Sequence, residues 1–207
     1  SGHRLVLTDR APCNELAERI RASGGEATAL ACDLADTGDV QRFAAEVLAL
    51  AGRVDVLVNN AAFMPMAPLP TIGAALWRQI MTVNVDAPFL LAQAFGHGMA
   101  ERSWGRIINL ASSTVWGPPP GMAAYACSKM AVIGLTRQMS VELAEHGITA
   151  NAVAPGPVDT PMTRVLHSPE FRQAYTDAIP MARYGTPEEV AAAVAYLASD
   201  GAAYVTG

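Results

Sequence analysis

An α/β fold with a doubly wound parallel sheet in one domain is predicted for this chain of 207 residues. Strand-like and helix-like segments alternate from end to end, an order that favours a parallel sheet covered by helices on both faces. Residues 54–60, VDVLVNN, are almost wholly apolar and β-branched, as in a strand buried on both faces. This length accommodates one sizeable core and does not require a second domain.

Five strands and five helices are predicted along the chain. The strands are Arg4–Thr8, 27–34, 54–60, 106–112 and 148–154. The helices are Pro12–Ala22, closed by Gly24-Gly25, then 39–52, Gly73–Phe95 with a bend near Pro88, 123–145 and 186–198. Thr186-Pro187-Glu188-Glu189 forms a capping box at the start of the last helix. Residues 155–185 are expected to be irregular.

Composition excludes several classes of protein. The net charge of −5 and the absence of a basic run argue against nucleic-acid binding. Charged or glycine residues interrupt every apolar stretch, so no membrane span is expected. Three scattered cysteines and four histidines without ligand spacing predict neither a disulfide framework nor a metal site. The expected location is the reducing cytoplasm.

The chemistry is expected at the carboxyl ends of the strands, where ligands of such sheets bind. The polar or glycine-rich positions there are Asp9, Asp33, Asn59–Ala62, Ser112 and Pro155 onward. The small residues Ala61 and Ala62 let a ligand approach the backbone closely. The loop PGPVDT, residues 155–160, combines rigid prolines with Gly156, as in a loop that lines a cofactor.

Tyr125 and Lys129 lie four residues apart in YACSK, so they share one face of a helix. A nearby ammonium favours the phenolate and lowers the pKa of tyrosine, as a general acid/base requires at neutral pH. Tyr-x-x-x-Lys is also a common accidental pair. Lys129, however, is the only lysine among 14 basic residues, which favours a functional role. Ser112 ends a strand thirteen residues earlier, where its hydroxyl could donate to a substrate carbonyl or cap a turn.

These motifs together resemble the classical short-chain dehydrogenase/reductase family over essentially the whole chain. The matching segments are CDL, NNAA, VNV, NLAS, YACSK, NAVAPGPVDT and the stretch from RYGTPEEV to YVTG. Individually weak, they are specific in this order and spacing. The resemblance implies a Rossmann-like fold and a hydride-transferring oxidoreductase that uses a nicotinamide cofactor.

The resemblance also implies roles for individual residues. Tyr125 would be the general acid/base and would also contact the cofactor. Lys129 would bind the nicotinamide ribose and lower the pKa of that tyrosine. Ser112 would position the carbonyl, and Asn84 would hold a water that relays protons. The remaining cofactor contacts implied are Asp33, Leu34, Asn60, Ala61, Ala62, Pro155, Gly156, Val158 and Thr160.

Asp9 bears on the choice of cofactor. A carboxylate after this strand accepts hydrogen bonds from a ribose 2′-hydroxyl and repels a 2′-phosphate, which favours NAD over NADP. Arg10 is an opposing feature, since a guanidinium can pair with that phosphate.

The glycine-rich phosphate loop, expected about 20 residues before such an acid, is not in the sequence. We therefore expect a longer natural polypeptide. In the family it resembles, the first strand lies between the Asp9 strand and the VDVLVNN strand, so its absence is expected to leave two inner strand edges unpaired and buried.

The substrate is expected to be an apolar, cyclic or aromatic secondary alcohol or the corresponding carbonyl. The residues expected around it are Ser112, Trp116, Met122, Tyr125 and Met162, beneath a lid at about 157–185 in which His167 is a surface residue. One alternative is a 3-oxoacyl-thioester (acyl carrier protein) reductase using NADPH, and another is a non-catalytic dinucleotide-binding protein.

The resemblance further implies a homotetramer, or a homodimer, paired through the helices that start near Gly73 and Ala123.

Overall fold

The computed structural model describes residues 2–207, which form five parallel strands in two sheets. Strands β1 (Arg4–Asp9) and β2 (Glu26–Ala31) form the smaller sheet. Strands β3 (Val56–Asn59), β4 (Gly105–Leu110) and β5 (Ile148–Val153) form the larger one, in the order β3-β4-β5. The predicted strands are therefore confirmed, but a single hydrogen-bonded sheet is not formed within the described residues.

Helices fill the connections between the strands. Helices α1 to α8 are Asn14–Ala22, Thr37–Ala51, Ala74–Met81, Ala87–Glu101, Ala123–Leu143, Pro161–Leu166, Pro169–Ala178 and Pro187–Leu197. Two of the predictions need correction. Residues 155–185 are not irregular throughout, because α6 and α7 lie within them, each with proline at its first turn.

The second correction concerns the long helix predicted at Gly73–Phe95. The regular helix is interrupted by a π-helical turn at Thr82–Asp86, before Pro88, and α4 continues to Glu101. Pro88 lies two residues after this turn, inside a continuous helical run, and has no N–H to donate to the preceding turn. The departure from regular geometry therefore lies just before Pro88, close to the predicted bend, and includes Asn84, a poor helix former.

The ends of the other helices follow local chemistry that the sequence displays. Asp36 caps α2 by accepting hydrogen bonds from the backbone N–H groups of Gly38 and Asp39. That helix ends at Gly52, whose φ of 73° favours glycine. The predicted capping box of α8 is present, with Thr186 and Glu189 each accepting from the other's backbone N–H.

Helices cover both faces of the larger sheet. Ile107 of β4 lies in the main hydrophobic core with residues of α2 and α4, among them Phe43 and Phe95. Arg106, the preceding residue, points to the other face, where its Nε donates to the carbonyl of Ser199 just after α8. Because successive side chains of a strand alternate between faces, α4 and α8 lie on opposite sides.

Strands β1 and β3 each pair with only one other strand, as do β2 and β5. Every residue of β4 is buried, whereas β1 and β3 are mostly half-buried or exposed, and Val58 of β3 is 42% exposed. The expectation of two unpaired inner edges agrees with this arrangement. The edges are more exposed than expected, since the two sheets are not linked by hydrogen bonds within residues 2–207.

Candidate active site

The loops after β4 and β5 are joined by backbone hydrogen bonds at the carboxyl edge of the larger sheet. The N–H of Ala111 donates to the carbonyl of Val153 at 2.7 Å, and the N–H of Ser113 donates to the carbonyl of Pro155 at 2.9 Å. Ser112 lies between these two bonds. Its side chain is consequently held at the point where the serine loop meets the PGPVDT loop.

Helix α5 brings Tyr125 and Lys129 beneath this edge. Both side chains are buried, and Lys129 is only 2% exposed. The Nζ of Lys129 donates to the carbonyl oxygen of Leu110, at the end of β4, over 2.5 Å. The same nitrogen lies 5.6 Å from the centroid of the Tyr125 ring. Ser112, Tyr125 and Lys129 are thus assembled into one cluster at the end of β4.

The electrostatics of this cluster differ from the sequence expectation. Burial lowers the pKa of Lys129 from 10.5 to about 8, because the charged form loses hydration. Burial also raises the pKa of Tyr125, and the neighbouring Ser112 hydroxyl opposes that rise by hydrogen bonding. The expected lowering of the tyrosine pKa by Lys129 is not seen here. Ser112 is the group that favours the phenolate in this structure.

Asn84 is 1% exposed and its side-chain amide is fully engaged. Its Oδ1 accepts from the N–H of Phe63 at 2.8 Å, and its Nδ2 donates to the carbonyl of Phe63 at 3.0 Å. The Nδ2 also donates to Ser128 Oγ, which in turn donates to the carbonyl of Tyr125. The side chain therefore ties the loop after β3 to helix α5. A role of Asn84 in holding a water stays a prediction.

Asp9 and Arg10 lie at the carboxyl end of β1, in the smaller sheet, and both are exposed. One carboxylate oxygen of Asp9 accepts from the N–H of Arg10 at 2.6 Å. Asp33 follows β2, and its carboxylate accepts from the N–H of Ala35. No hydrogen bond within residues 2–207 links these groups to the Tyr125 cluster, so the structure leaves the cofactor roles of Asp9, Arg10, Asp33 and Leu34 as predictions.

Asn60, Ala61 and Ala62 directly follow β3, which pairs with β4 in the larger sheet. The backbone of this loop is held in place by the Asn84 amide at Phe63. Further along, the N–H of Ala67 donates to the carbonyl of Gly121. The loop leads from β3 into α3, and its hydrogen bond to Gly121 joins it to the segment just before α5, beside the Tyr125 cluster.

The PGPVDT loop is anchored at both ends. Val158 forms a parallel bridge with Gly185, and the buried Thr163 donates its hydroxyl to the carbonyl of Val158 at 2.7 Å. Thr160 caps α6 by accepting from the N–H of Thr163. The hydroxyl of Thr160, predicted to contact a cofactor, thus also has a local structural role.

The predicted lid contains a compact aromatic cluster. The ring of His167 lies 4.7 Å from Phe171 and stacks on Tyr175 at 5.9 Å, and its Nδ1 is 3.0 Å from the Tyr184 hydroxyl. Burial and the nearby Arg172 lower the pKa of His167. His167 was expected to be a surface loop residue, but its contacts with Phe171, Tyr175 and Tyr184 leave it half-buried.

Several site residues had no role in the sequence interpretation. Thr114 donates to Ser112, and Ser128 connects Asn84 to α5. Asn109 accepts from Asn59 and donates to Thr136, linking β3, β4 and α5. An asparagine inside the apolar strand RIINL was a visible signal for Asn109, since a buried amide needs partners. Thr114 and Ser128 carried no such signal, because hydroxyls are common in loops and helices.

Two other features are absent from the part of the chain that the structure describes. Within residues 2–207, no group of three or more His, Cys, Asp or Glu side chains is placed to hold a metal ion. Across the same residues, no helix has both the length and the apolar character needed to cross a membrane.

Comparison with known proteins agrees with this arrangement. The family described as Enoyl-(Acyl carrier protein) reductase matches residues 1–207. The chain is 40% identical to galactitol 2-dehydrogenase (L-tagatose-forming) of Cereibacter sphaeroides over the whole chain and 82% of that protein. It is also 40% identical to the 3-oxoacyl-[acyl-carrier-protein] reductase of Synechocystis sp., over 91% of the chain and 75% of the relative.

A solved structure shows the same fold. The gluconate 5-dehydrogenase of Burkholderia cenocepacia J2315, in complex with NADP and tartrate, superposes with a TM-score of 0.90 at 34% identity. The match covers 97% of this chain and 80% of that one. Proteins of this kind are NAD(P)-dependent dehydrogenases and reductases acting on CH–OH and C=O groups. With its Ser112, Tyr125 and Lys129 cluster at the end of β4, this chain belongs to the classical short-chain dehydrogenase/reductase family.

Proposed function

We propose that the protein transfers a hydride between NAD(H) and an apolar secondary alcohol or its carbonyl. The observation that supports this most is the cluster at the end of β4, in which half-buried Ser112 lies beside the buried Tyr125 and Lys129. Ser112 provides a hydroxyl donor for the substrate oxygen. Tyr125 exchanges a proton with that oxygen, and Lys129 provides a buried cation close by. A complete set of this kind disfavours the non-catalytic alternative.

The residues present fit part of a dinucleotide. When bound, NAD(H) would accept or supply the hydride. The exposed carboxylate of Asp9 suits a ribose 2′-hydroxyl, since only one of its oxygens takes part in the described hydrogen bond. Lys129 suits the nicotinamide ribose, since an ammonium has three donors and one is used by Leu110. We propose the remaining contacts at the loops 60–62 and 155–160. The 207 residues contain no glycine-rich phosphate loop.

Preference for NAD over NADP is the prediction that Asp9 supports. Replacing Asp9 with asparagine removes the repulsion of a 2′-phosphate, so we expect the ratio of kcat/KM for NAD to kcat/KM for NADP to fall about ten- to a hundredfold. Steady-state kinetics with both cofactors measures this ratio. Glu18→Gln, an exposed acid on α1, is the matched control. A ratio unchanged in Asp9→Asn, or a wild-type preference for NADP, contradicts the assignment.

The substrate class is proposed from the exposed apolar side chains predicted to surround the site. Trp116 is 75% exposed and Met162 is 48% exposed, whereas Met122, at the start of α5, is buried. Large apolar side chains are stabilised when they cover an apolar ligand. We propose that the segment at about 157–185, with α6 and α7, is the lid over that ligand. The second candidate is reduction of a 3-oxoacyl thioester, favoured by the 40% identity to the Synechocystis reductase.

A substrate panel distinguishes these candidates. NADH formation is followed at 340 nm with 1-phenylethanol and cyclohexanol, and with galactitol as a polar alcohol. Oxidation of NADH and NADPH is followed with a 3-oxoacyl thioester. We expect the highest kcat/KM with the aryl or cyclic alcohol and NAD. Preference for galactitol would overturn the apolar substrate, and preference for the thioester with NADPH would support the second candidate.

We also propose a homotetramer, or failing that a homodimer, in the cytoplasm. Helices α4 and α5 expose apolar side chains that a second copy would cover: Phe89, Met130 and Val141. The cysteines Cys13, Cys32 and Cys127 are all free, as in a reducing compartment. Sedimentation velocity at micromolar concentration should give a mass four times that of the chain. A predominantly monomeric mass would contradict the assembly.

A further inference from the structure

The Ser112 hydroxyl is contacted twice by a single residue, Thr114. The backbone N–H of Thr114 donates to Ser112 Oγ at 3.2 Å, and the Thr114 hydroxyl donates to the same oxygen at 3.0 Å. A serine hydroxyl has two lone pairs and one proton. Both acceptor positions of Ser112 are therefore taken by Thr114.

Ser112 can therefore act toward the rest of the site only as a hydrogen-bond donor. With both lone pairs occupied, Ser112 Oγ can offer only its proton to any further group. A substrate oxygen or the Tyr125 oxygen must then be the acceptor. A hydroxyl that already accepts hydrogen bonds is also a stronger donor, since linked hydrogen bonds polarise one another.

We infer that Thr114 is a positioning residue for the reaction, holding Ser112 as a one-way hydrogen-bond donor toward the substrate oxygen and Tyr125. This inference rests on the proposed function. The effect of Ser112 on Tyr125 agrees with this role. Burial raises the pKa of Tyr125 and Ser112 opposes that rise, as a hydroxyl that donates to the phenolate would do.

A purely structural role for Thr114 makes a different prediction. Ser112 caps the short turn Ser113–Val115 by accepting from the backbone N–H of Thr114. That bond needs no threonine side chain, since any residue except proline provides the N–H. If the turn were the whole purpose, removing the Thr114 hydroxyl would leave the chemistry unchanged.

The test is Thr114→Val, which keeps the β-branched shape and the backbone N–H but removes the hydroxyl donor. In alcohol oxidation with NAD, we expect kcat to fall about tenfold, with a smaller change in KM, since one hydrogen bond is lost. We also expect the rising limb of the kcat–pH profile to move to higher pH, by roughly half a unit to one unit. Thr114→Ser should restore both, because it restores the donor.

The control is Ser113→Ala, whose hydroxyl has no described hydrogen bond, and it should behave as wild type.

A second readout does not depend on turnover. Tyrosine ionisation is titrated at 295 nm, and each protein is compared with its own Tyr125→Phe counterpart to isolate Tyr125. The pKa of Tyr125 should be higher in Thr114→Val than in wild type or Thr114→Ser.

The outcomes separate the two hypotheses. If wild type turns over no alcohol or carbonyl with either cofactor, the proposed function fails, and the titration alone decides the role of Thr114. If Thr114→Val titrates as wild type does and has a wild-type pH profile, the inference about Thr114 is overturned. It is also overturned if Thr114→Ser fails to rescue, because the hydroxyl would then not be the cause.

Discussion

Replacing Tyr125 with phenylalanine is expected to lower kcat by about a hundredfold to ten-thousandfold, the usual contribution of a general acid/base. The substitution removes one hydroxyl from a ring that is buried in α5 beside Ser112. The ring and its packing remain, so the fold and the binding of NADH should be preserved. Turnover is measured by NADH absorbance, and NADH binding by the change in its fluorescence.

The matched control is Tyr204→Phe, which removes the same group from a fully exposed ring. It should have wild-type turnover. If Tyr125→Phe keeps near-normal turnover while binding NADH, the proton is exchanged by another group and the assignment of Tyr125 is wrong. Loss of NADH binding together with turnover would place Tyr125 in cofactor binding.

Replacing Lys129 with methionine should change how the free energy of unfolding depends on pH. The unfolded lysine has a pKa near 10.5, and burial lowers the pKa to about 8 in the folded protein. Between these values the unfolded state binds more protons than the folded state, so the free energy of unfolding contributed by Lys129 rises with pH. At 1.36 kcal/mol per pKa unit, wild type should gain up to about 3 kcal/mol relative to Lys129→Met between pH 8 and 10.5.

Urea unfolding at several pH values measures this difference. Arg137→Met, which removes an exposed cation from the same helix, is the control. It should leave the pH dependence of the unfolding free energy unchanged. Parallel stability curves for wild type and Lys129→Met would mean that the lysine is solvated in the folded protein and that its burial is not costly.

Most of the secondary structure could be predicted because it depends on local chemistry. The capping box at Thr186 and the glycine stop at Gly52 place helix ends through backbone hydrogen bonds within a few residues. The apolar run RIINL predicted a strand, and β4 is buried at every position. Helices α6 and α7 were missed although each begins with a capping residue followed by proline, Thr160-Pro161 and Ser168-Pro169, a start signal that the sequence displays.

The sites of chemistry were predictable where a residue type was unusual in its context. Lys129, the only lysine, and the polar residues at strand ends indicated the cluster from the sequence alone. The direction of the electrostatics was not predictable. Proximity in sequence suggested that Lys129 would lower the pKa of Tyr125, but the ammonium is bound to Leu110 and both groups are desolvated.

Residue order alone thus established the α/β fold, the family and the three residues of the central cluster. These depend on periodicity, helix capping and spacing along one helix, all of which are local. The π-helical turn at Asn84 and the two bonds from Thr114 to Ser112 required the tertiary structure. They depend on the contacts of Asn84 with Phe63 and Ser128 and on the direction in which each half-buried hydroxyl donates, and packing decides both.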